Sequence, residues 1–233
     1  MAQRPDTKVL LEPYMPCFYY SSEKKHDRHE VNLDIGYSFQ KCKEMCEKEP
    51  SEKYIFIKEL AYQLGGRFDA LPDKFQHTFL IRNPNKTVRS LYSVIRKGED
   101  PTYTSFDKTE AGFKQLMELF EHVTKVLGQE PIVIEADDLV NNSVGVVKKY
   151  CQMVGMDYKH CMVEWDGSTT NFKKLRHPWN PYHKHLLSTN KFENTQEGKE
   201  QEWDIPAECQ EAIDESMDIY QELCKYKLKT TEQ

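Results

Sequence analysis

The sequence lacks any long hydrophobic run. Hydrophobic residues make up 38% of its 233 residues, and no stretch approaches the roughly 20 apolar residues that a membrane-spanning helix needs. The amino terminus, MAQRPDTKVLLEPY, also lacks the apolar stretch and small-residue cleavage site of a signal peptide. We therefore expect no membrane span and a cytoplasmic location.

An excess of basic residues is also missing. Lysine and arginine total 32 against 38 aspartates and glutamates, which gives a formal net charge of −6. Proteins that bind nucleic acid need a basic face to displace counterions from phosphates. We therefore exclude nucleic acid as a partner, and any anion site in this chain must be local.

Cysteines are few, and their pattern predicts no disulfide framework. The chain has seven cysteines, an odd and scattered set. Cys42 and Cys46 lie one helical turn apart with His26 and His29 upstream, but no second cysteine pair or close histidine pair completes four metal ligands. We expect buried free thiols and no metal.

Glycine is scarce where a phosphate-binding loop would need it. The chain has ten glycines, and the first is Gly36. A P-loop places glycines directly after the first strand, so that backbone N–H groups can cradle phosphate. No such loop follows the first apolar run of this sequence.

Short apolar runs alternate with helical patterns along the chain. TKVLL, YIFI, HTFLI and PIVIE have the character of buried strands, and helices are predicted over 39–48, 110–127 and 206–227. Strands that alternate with helices pair in parallel through right-handed crossovers. We predict an α/β fold, with a mostly parallel sheet flanked by helices, in a single domain over 1–233.

One stretch, HTFLIRNPNKTVRSLY, carries the clearest chemical signal. Arg82 ends an apolar strand, Asn83-Pro84 supplies a helix cap and a first-turn proline, and Ser90 lies two turns into the helix. Ligands of parallel sheets collect at such strand ends, where a guanidinium and a hydroxyl suit a phosphate monoester. The alternative is that Arg82 pairs with a carboxylate and Ser90 lies on a solvent-facing surface.

The same stretch resembles the second cofactor signature of the sulfotransferases that use 3′-phosphoadenosine 5′-phosphosulfate (PAPS). In that signature, an arginine before an Asn/Asp-Pro turn and a serine eight residues later bind the 3′-phosphate, which matches Arg82, Pro84 and Ser90. YIFIKELAYQL, IVIEADDLVNNSVGVVKKYCQMVGM and HKHLLSTNKF are similar to further family segments, and the resemblance runs over 8–227. It implies a sulfotransferase-like P-loop fold and PAPS as co-substrate without metal. It also implies a hydroxyl acceptor on a small molecule, a glycan or a peptide.

The sequence departs from this family at its beginning. The family starts with a strand and a phosphosulfate-binding loop of the type Pro-Arg-Ser-Gly-Ser/Thr-Thr, and nothing here matches it. We expect a chain that is N-terminally truncated relative to the family by one strand, loop and helix. A non-catalytic relative that keeps the 3′-phosphate half-site or only the scaffold stays open, whereas the missing Walker loop counts against a kinase.

Three residues are the candidates for catalysis. Sulfuryl transfer needs a base for the acceptor hydroxyl and a cation for the charge on the leaving phosphate. The resemblance gives the cationic role to Lys58, at the end of a strand that a short helix follows from Lys58 or Glu59. Glu12, after the first strand, and Glu59 are the candidate bases, although Glu59 would also suit a helix amino terminus.

Other polar residues have more ordinary interpretations. We expect His77 to be structural, at the opposite end of the sheet, and Asp137-Asp138 to be helix-start acids. The late aromatic segment contributes three histidines that are expected to pack or to lie on the surface: His177, His183 and His185. The acceptor cannot be named from four aromatic residues that would suit a sugar, a phenol or a peptide tyrosine: Tyr14, Tyr19, Tyr20 and Trp179.

Overall fold

The protein is described by a computed structural model that covers residues 1–28, 36–100, 103–165, 189–193 and 204–230. The strands are β1 Thr7–Leu11, β2 Tyr54–Lys58, β3 Thr78–Ile81 and β4 Ile132–Glu135. The α-helices are α1 Met15–Tyr20, α2 Phe39–Glu47, α3 Pro84–Arg96, α4 Phe113–Glu121, α5 Ala136–Asn141, α6 Ser143–Met153 and α7 Ala207–Cys224. Short 3₁₀ turns cover Ala61–Leu64, Phe68–Ala70, Lys108–Ala111 and His160–Met162, and a π-helical turn covers His122–Val126.

The strands form two parallel pairs. β1 pairs with β2 in a register that places Leu11 opposite Lys58, and β3 pairs with β4 so that Ile81 lies opposite Glu135. The α/β class and the parallel pairing are confirmed. Within the described residues, however, no ladder joins β2 to β3, so the single sheet predicted from the sequence is seen as two two-stranded sheets.

The two sheets pack together through side chains of α4 and α6. Leu119 of α4 contacts both the cluster around α1 and α2 and the cluster beneath β3 and β4. Phe56 of β2 packs into a third cluster with Ile132 of β4 and Val147 of α6. The two sheets therefore share a buried core, although in the described ranges no backbone hydrogen bond joins them directly.

The strands next to the gap between the sheets are incompletely covered. Leu80 of β3 is 60% exposed, whereas its neighbours Phe79 and Ile81 are 2% and 1% exposed. Every residue of β2 is also partly exposed. An apolar strand with one unpaired edge is the kind of surface that accepts another strand.

Several predicted helix boundaries are wrong. The helix expected over 110–127 is divided, because Gly112 adopts a left-handed φ of 75° between a 3₁₀ turn and α4. No helix begins at Lys58 or Glu59, since Lys58 is the last residue of β2 and the following turn starts at Ala61. The final helix ends at Cys224, three residues before the predicted end at Lys227.

Within the described ranges, no helix combines the length and the apolar character that crossing a membrane would require.

Candidate functional site

Glu12, Lys58 and Glu59, called here the Lys58 cluster, meet at the carboxyl ends of β1 and β2. The parallel register brings the last residues of both strands side by side, and the N–H of Glu12 donates to the carbonyl of Lys58 at 2.7 Å. The Nζ of Lys58 forms an ion pair with Oε1 of Glu12. The fold thus brings together the cation and both candidate bases.

Glu12 adopts an uncommon backbone conformation. Its φ of 48° lies in the left-handed region, which costs free energy for a residue with a side chain. The turn directs the chain from β1 into α1, and the Glu12 side chain is only 14% exposed against 41% for Lys58. The strained turn and the ion pair fix the carboxylate beside the lysine, as a site for proton transfer requires.

The Glu59 carboxylate is bound by backbone amides. Oε2 accepts a hydrogen bond from the N–H of Tyr14 and Oε1 accepts one from the N–H of Leu60, each at 2.8 Å. The residue is partly exposed as a whole, but its carboxylate lies among protein atoms, and this burial raises the pKa of Glu59 to about 8. Glu59 therefore ties the start of α1 to the end of β2.

Arg82 and Ser90, called here the Arg82–Ser90 pair, lie at the corresponding end of β3. Asn83 caps α3 by accepting a hydrogen bond from the N–H of Asn85 at 2.9 Å, and Pro84 is the first helical residue. Ser90 lies in α3, seven residues beyond the Asn83 cap, which is almost two whole turns into the helix.

Both members of the Arg82–Ser90 pair are solvent-exposed. In the described part of the chain, neither side chain has a hydrogen bond or an ion pair, and the alternative in which Arg82 pairs with a carboxylate is not observed there. The amino end of α3 adds its partial positive charge beside Arg82. The arrangement offers cationic and hydroxyl donors to an anion from solvent.

A buried polar network beside the Lys58 cluster was missed by the sequence reasoning. Glu110 accepts hydrogen bonds from the hydroxyl of Tyr19 at 2.6 Å and from Arg28 at 2.5 Å and 2.9 Å. The Arg28 guanidinium also lies 4.3 Å from the centre of the Tyr103 ring. No local sequence pattern connects Arg28 to a glutamate 82 residues away.

Two of the tyrosines that would suit an acceptor have side chains enclosed in the protein core. Tyr14 and Tyr19 are buried, and their hydroxyls donate to the Ala70 carbonyl at 2.6 Å and to Glu110. The expectation that these two rings contact an acceptor is therefore not supported by their positions. Trp179 lies outside the described residues, as do His177, His183 and His185.

The remaining polar candidates have structural partners. His77 precedes β3, at the opposite end from Arg82, and its Nδ1 lies 3.2 Å from Oε1 of Gln129. Asp137 forms an ion pair with Lys86 at 2.6 Å, and Asp138 forms one with Lys227 at 2.8 Å. Among the residues that the structure describes, no group of three or more histidines, cysteines or acids is arranged to hold a metal ion.

Comparison with known proteins assigns the family. The sequence model of the sulfotransferase domain matches residues 1–186, and the chain therefore belongs to the sulfotransferase family. No solved structure matches the chain.

Two curated relatives come from Arabidopsis thaliana. The chain is 26% identical to branched-chain-amino-acid aminotransferase-like protein 2 over 191 residues, which cover 76% of this chain and 31% of the relative. It is 25% identical to branched-chain-amino-acid aminotransferase-like protein 1 over 181 residues, with the same coverage of 76% and 31%. The chain thus spans about a third of the length of these relatives.

Proposed function

We propose that this chain is part of a PAPS-dependent sulfotransferase, which transfers a sulfuryl group to an acceptor hydroxyl. The observation that carries the proposal is the contact between Lys58 and Glu12 at paired strand ends, in a chain of the sulfotransferase family. A cation and a carboxylate held together in a partly buried position are the minimum chemical set for this reaction.

Glu12 is the proposed base. It takes the proton from the acceptor hydroxyl as the hydroxyl oxygen attacks the sulfur atom and the bond from sulfur to the bridging phosphate oxygen breaks. Lys58 stabilises the negative charge that develops on that oxygen. Lys58 is 41% exposed, so its ammonium group is accessible to a bound substrate while it contacts Glu12.

Glu59 is proposed as a positioning residue rather than as the base. Both of its oxygens already accept backbone hydrogen bonds, and its pKa of about 8 leaves the carboxyl largely protonated near neutral pH. A protonated carboxyl cannot accept the hydroxyl proton. Its bond to the N–H of Tyr14 instead holds the turn that carries Glu12.

Arg82 and Ser90 are proposed to bind the 3′-phosphate of the nucleotide. A guanidinium can donate two parallel hydrogen bonds to phosphate oxygens, and the serine hydroxyl can donate one more. The exposure of both side chains and the nearby amino end of α3 support this role.

The 5′-phosphosulfate requires a loop that these 233 residues do not contain. We propose that a further strand, which carries this loop, pairs with both β2 and β3. Among the described residues no ladder joins β2 to β3, which supports that position. Such a strand would place its loop between the Lys58 cluster and the Arg82–Ser90 pair.

The second candidate function is a non-catalytic one. The absence of a glycine-rich loop from the sequence favours a protein that binds only the 3′-phosphate end of the nucleotide. We assign no aminotransferase activity to this chain from the names of these relatives, because the chain covers only 31% of the length of each relative.

Calorimetry and a turnover assay on the full gene product test the two functions together. We expect adenosine 3′,5′-bisphosphate to bind, and PAPS to be consumed in the presence of phenol, sugar or tyrosyl-peptide acceptors. Binding without consumption under every acceptor would establish the non-catalytic alternative. Absence of nucleotide binding would refute both functions.

A further inference from the structure

Two cysteines that are distant in the sequence meet in the core next to the Lys58 cluster. The Sγ atoms of Cys17 on α1 and Cys42 on α2 lie 3.3 Å apart, although 25 residues separate them along the chain. Both are free thiols with no more than 1% of their surface exposed. Cys46 is equally buried one turn further along α2, and it provides an internal comparison.

The surroundings make the two thiols chemically different. A hydrogen bond from Cys42 lowers the pKa of Cys17 and favours its thiolate. The same contact, together with burial, raises the pKa of Cys42, which also lies 3.3 Å from the carbonyl oxygen of Pro13. A thiolate beside a protonated thiol is the arrangement of an attacking and a resolving cysteine.

We propose that Cys17 and Cys42 are a reversible oxidation site, at which a peroxide joins α1 to α2 through a disulfide. The Cys17 thiolate attacks one peroxide oxygen, the O–O bond breaks, and the released hydroxide takes a proton to form water. The Cys42 sulfur then attacks the resulting sulfenic acid, the S–S bond forms, and the second hydroxide leaves with the thiol proton as water. Two thiols are oxidised, and one peroxide is reduced to two water molecules.

The oxidant reaches the buried pair through local opening of α1. This helix has only six residues, and its Tyr14 cap makes no side-chain hydrogen bond to the helix. Isolated helices of this length are unstable without packing, so fluctuations that expose Cys17 require less than global unfolding.

The disulfide would act on the neighbouring site. Cys17 lies five residues after Glu12, and the intervening Tyr14 donates its N–H to Glu59. Oxidation therefore fixes the start of α1 and the turn that carries Glu12. This inference concerns the thiols and does not depend on the proposed reaction.

Peptide mapping by mass spectrometry after peroxide treatment tests the site. The folded protein is treated with hydrogen peroxide, free thiols are alkylated, and the digest is compared with a sample reduced by dithiothreitol. We expect a peptide linking Cys17 to Cys42, its disappearance on reduction, and slower amide hydrogen exchange in α1 of the oxidised protein.

Three matched variants complete the design. Cys17→Ser and Cys42→Ser should each lose the cross-link, whereas Cys46→Ser, on the same helix and equally buried, should keep it. The wild-type peptide map decides the matter even where a serine variant folds poorly. Absence of the Cys17–Cys42 peptide, its appearance only in urea, or a dominant cross-link through Cys46 would overturn the proposal.

Discussion

The two halves of the candidate site are organised in opposite ways. In the Lys58 cluster, protein groups already bind one another through an ion pair, two hydrogen bonds to Glu59 from backbone amides and a left-handed turn at Glu12. The Arg82–Ser90 pair is exposed, and in the described part of the chain its side chains bind nothing. The first region is preorganised by the fold, whereas the side chains of the second are exposed and are proposed to become ordered when a ligand binds.

This difference predicts which property a mutation in each region changes: catalysis and stability, or ligand affinity. Residues of the preorganised region should affect the chemical step and the stability of the fold. Residues of the exposed region should affect ligand binding and leave stability unchanged, because an exposed side chain without contacts contributes little to folding.

The largest effect is expected for Lys58→Ala. Removing one preorganised group that stabilises transition-state charge costs about 10²–10³-fold in kcat. Affinity for adenosine 3′,5′-bisphosphate should change little, because the lysine acts on charge that develops during the reaction. Steady-state kinetics and calorimetry on the full gene product measure both quantities.

Lys53→Ala is the matched control for Lys58→Ala. Lys53 precedes the same strand at its other end, is exposed, and pairs with Asp157 at the surface. Its kcat should equal that of the wild type. A Lys58→Ala enzyme in which only KM rises would show that Lys58 binds the ground state and would contradict the proposed mechanism.

Arg82→Ala should weaken nucleotide binding by at least about a hundredfold. Hydrogen bonds to charged groups are worth about 1.5–3 kcal/mol, and the guanidinium is proposed to make two. The melting temperature without ligand should stay unchanged. Arg67→Ala, which removes a partly exposed arginine paired with Asp69, is the control for loss of positive charge. Equal affinities of wild type and Arg82→Ala would remove Arg82 from the phosphate site.

Glu59 should make stability depend on pH. Its folded pKa of about 8 lies above the ordinary value of 4.5, so the folded state holds the proton more tightly than the unfolded state. The contribution is fully present below about pH 4.5 and is lost as the pH rises through about 8. Each pH unit within this window changes the unfolding free energy by at most about 1.4 kcal/mol.

Urea unfolding at several pH values measures this slope. Glu59→Gln should flatten it, because glutamine does not titrate, and should lower stability because its amide cannot accept both backbone hydrogen bonds. Glu44→Gln, on the exposed side of α2, should keep the wild-type slope. An unchanged slope in Glu59→Gln would show that another group is responsible.

The smallest effect is expected for Ser90→Ala. A single hydrogen bond from the serine hydroxyl to a charged phosphate oxygen contributes about 1.5 kcal/mol, which is roughly a tenfold change in nucleotide affinity. Ser93→Ala on the same helix should leave the affinity unchanged. If Ser90→Ala binds the nucleotide as tightly as the wild type does, the Ser90 hydroxyl does not contact the 3′-phosphate.

The parts of the fold that follow from local signals were predictable. Apolar runs of four or five residues gave β1 to β4, and Asn83-Pro84 marked the start of α3. The predicted helix began too early, because Glu110 and Ala111 have helix-compatible side chains although they belong to the 3₁₀ turn before Gly112. Gly112 suits this position because it tolerates a left-handed φ and leaves room for the Tyr62 ring, which lies 3.2 Å from where a Cβ would be.

The sequence by itself determined the α/β class, the strand ends that carry Lys58 and Arg82, and the spacing that places Ser90 in the helix that follows Arg82. These features depend on residues that are close together in the chain. Only the tertiary structure decided that Lys58 binds Glu12 across 46 residues, that Arg28 and Tyr19 converge on Glu110, and that Cys17 touches Cys42. Such contacts depend on strand register and helix packing, and no local pattern of residue types specifies which of many compatible partners will meet.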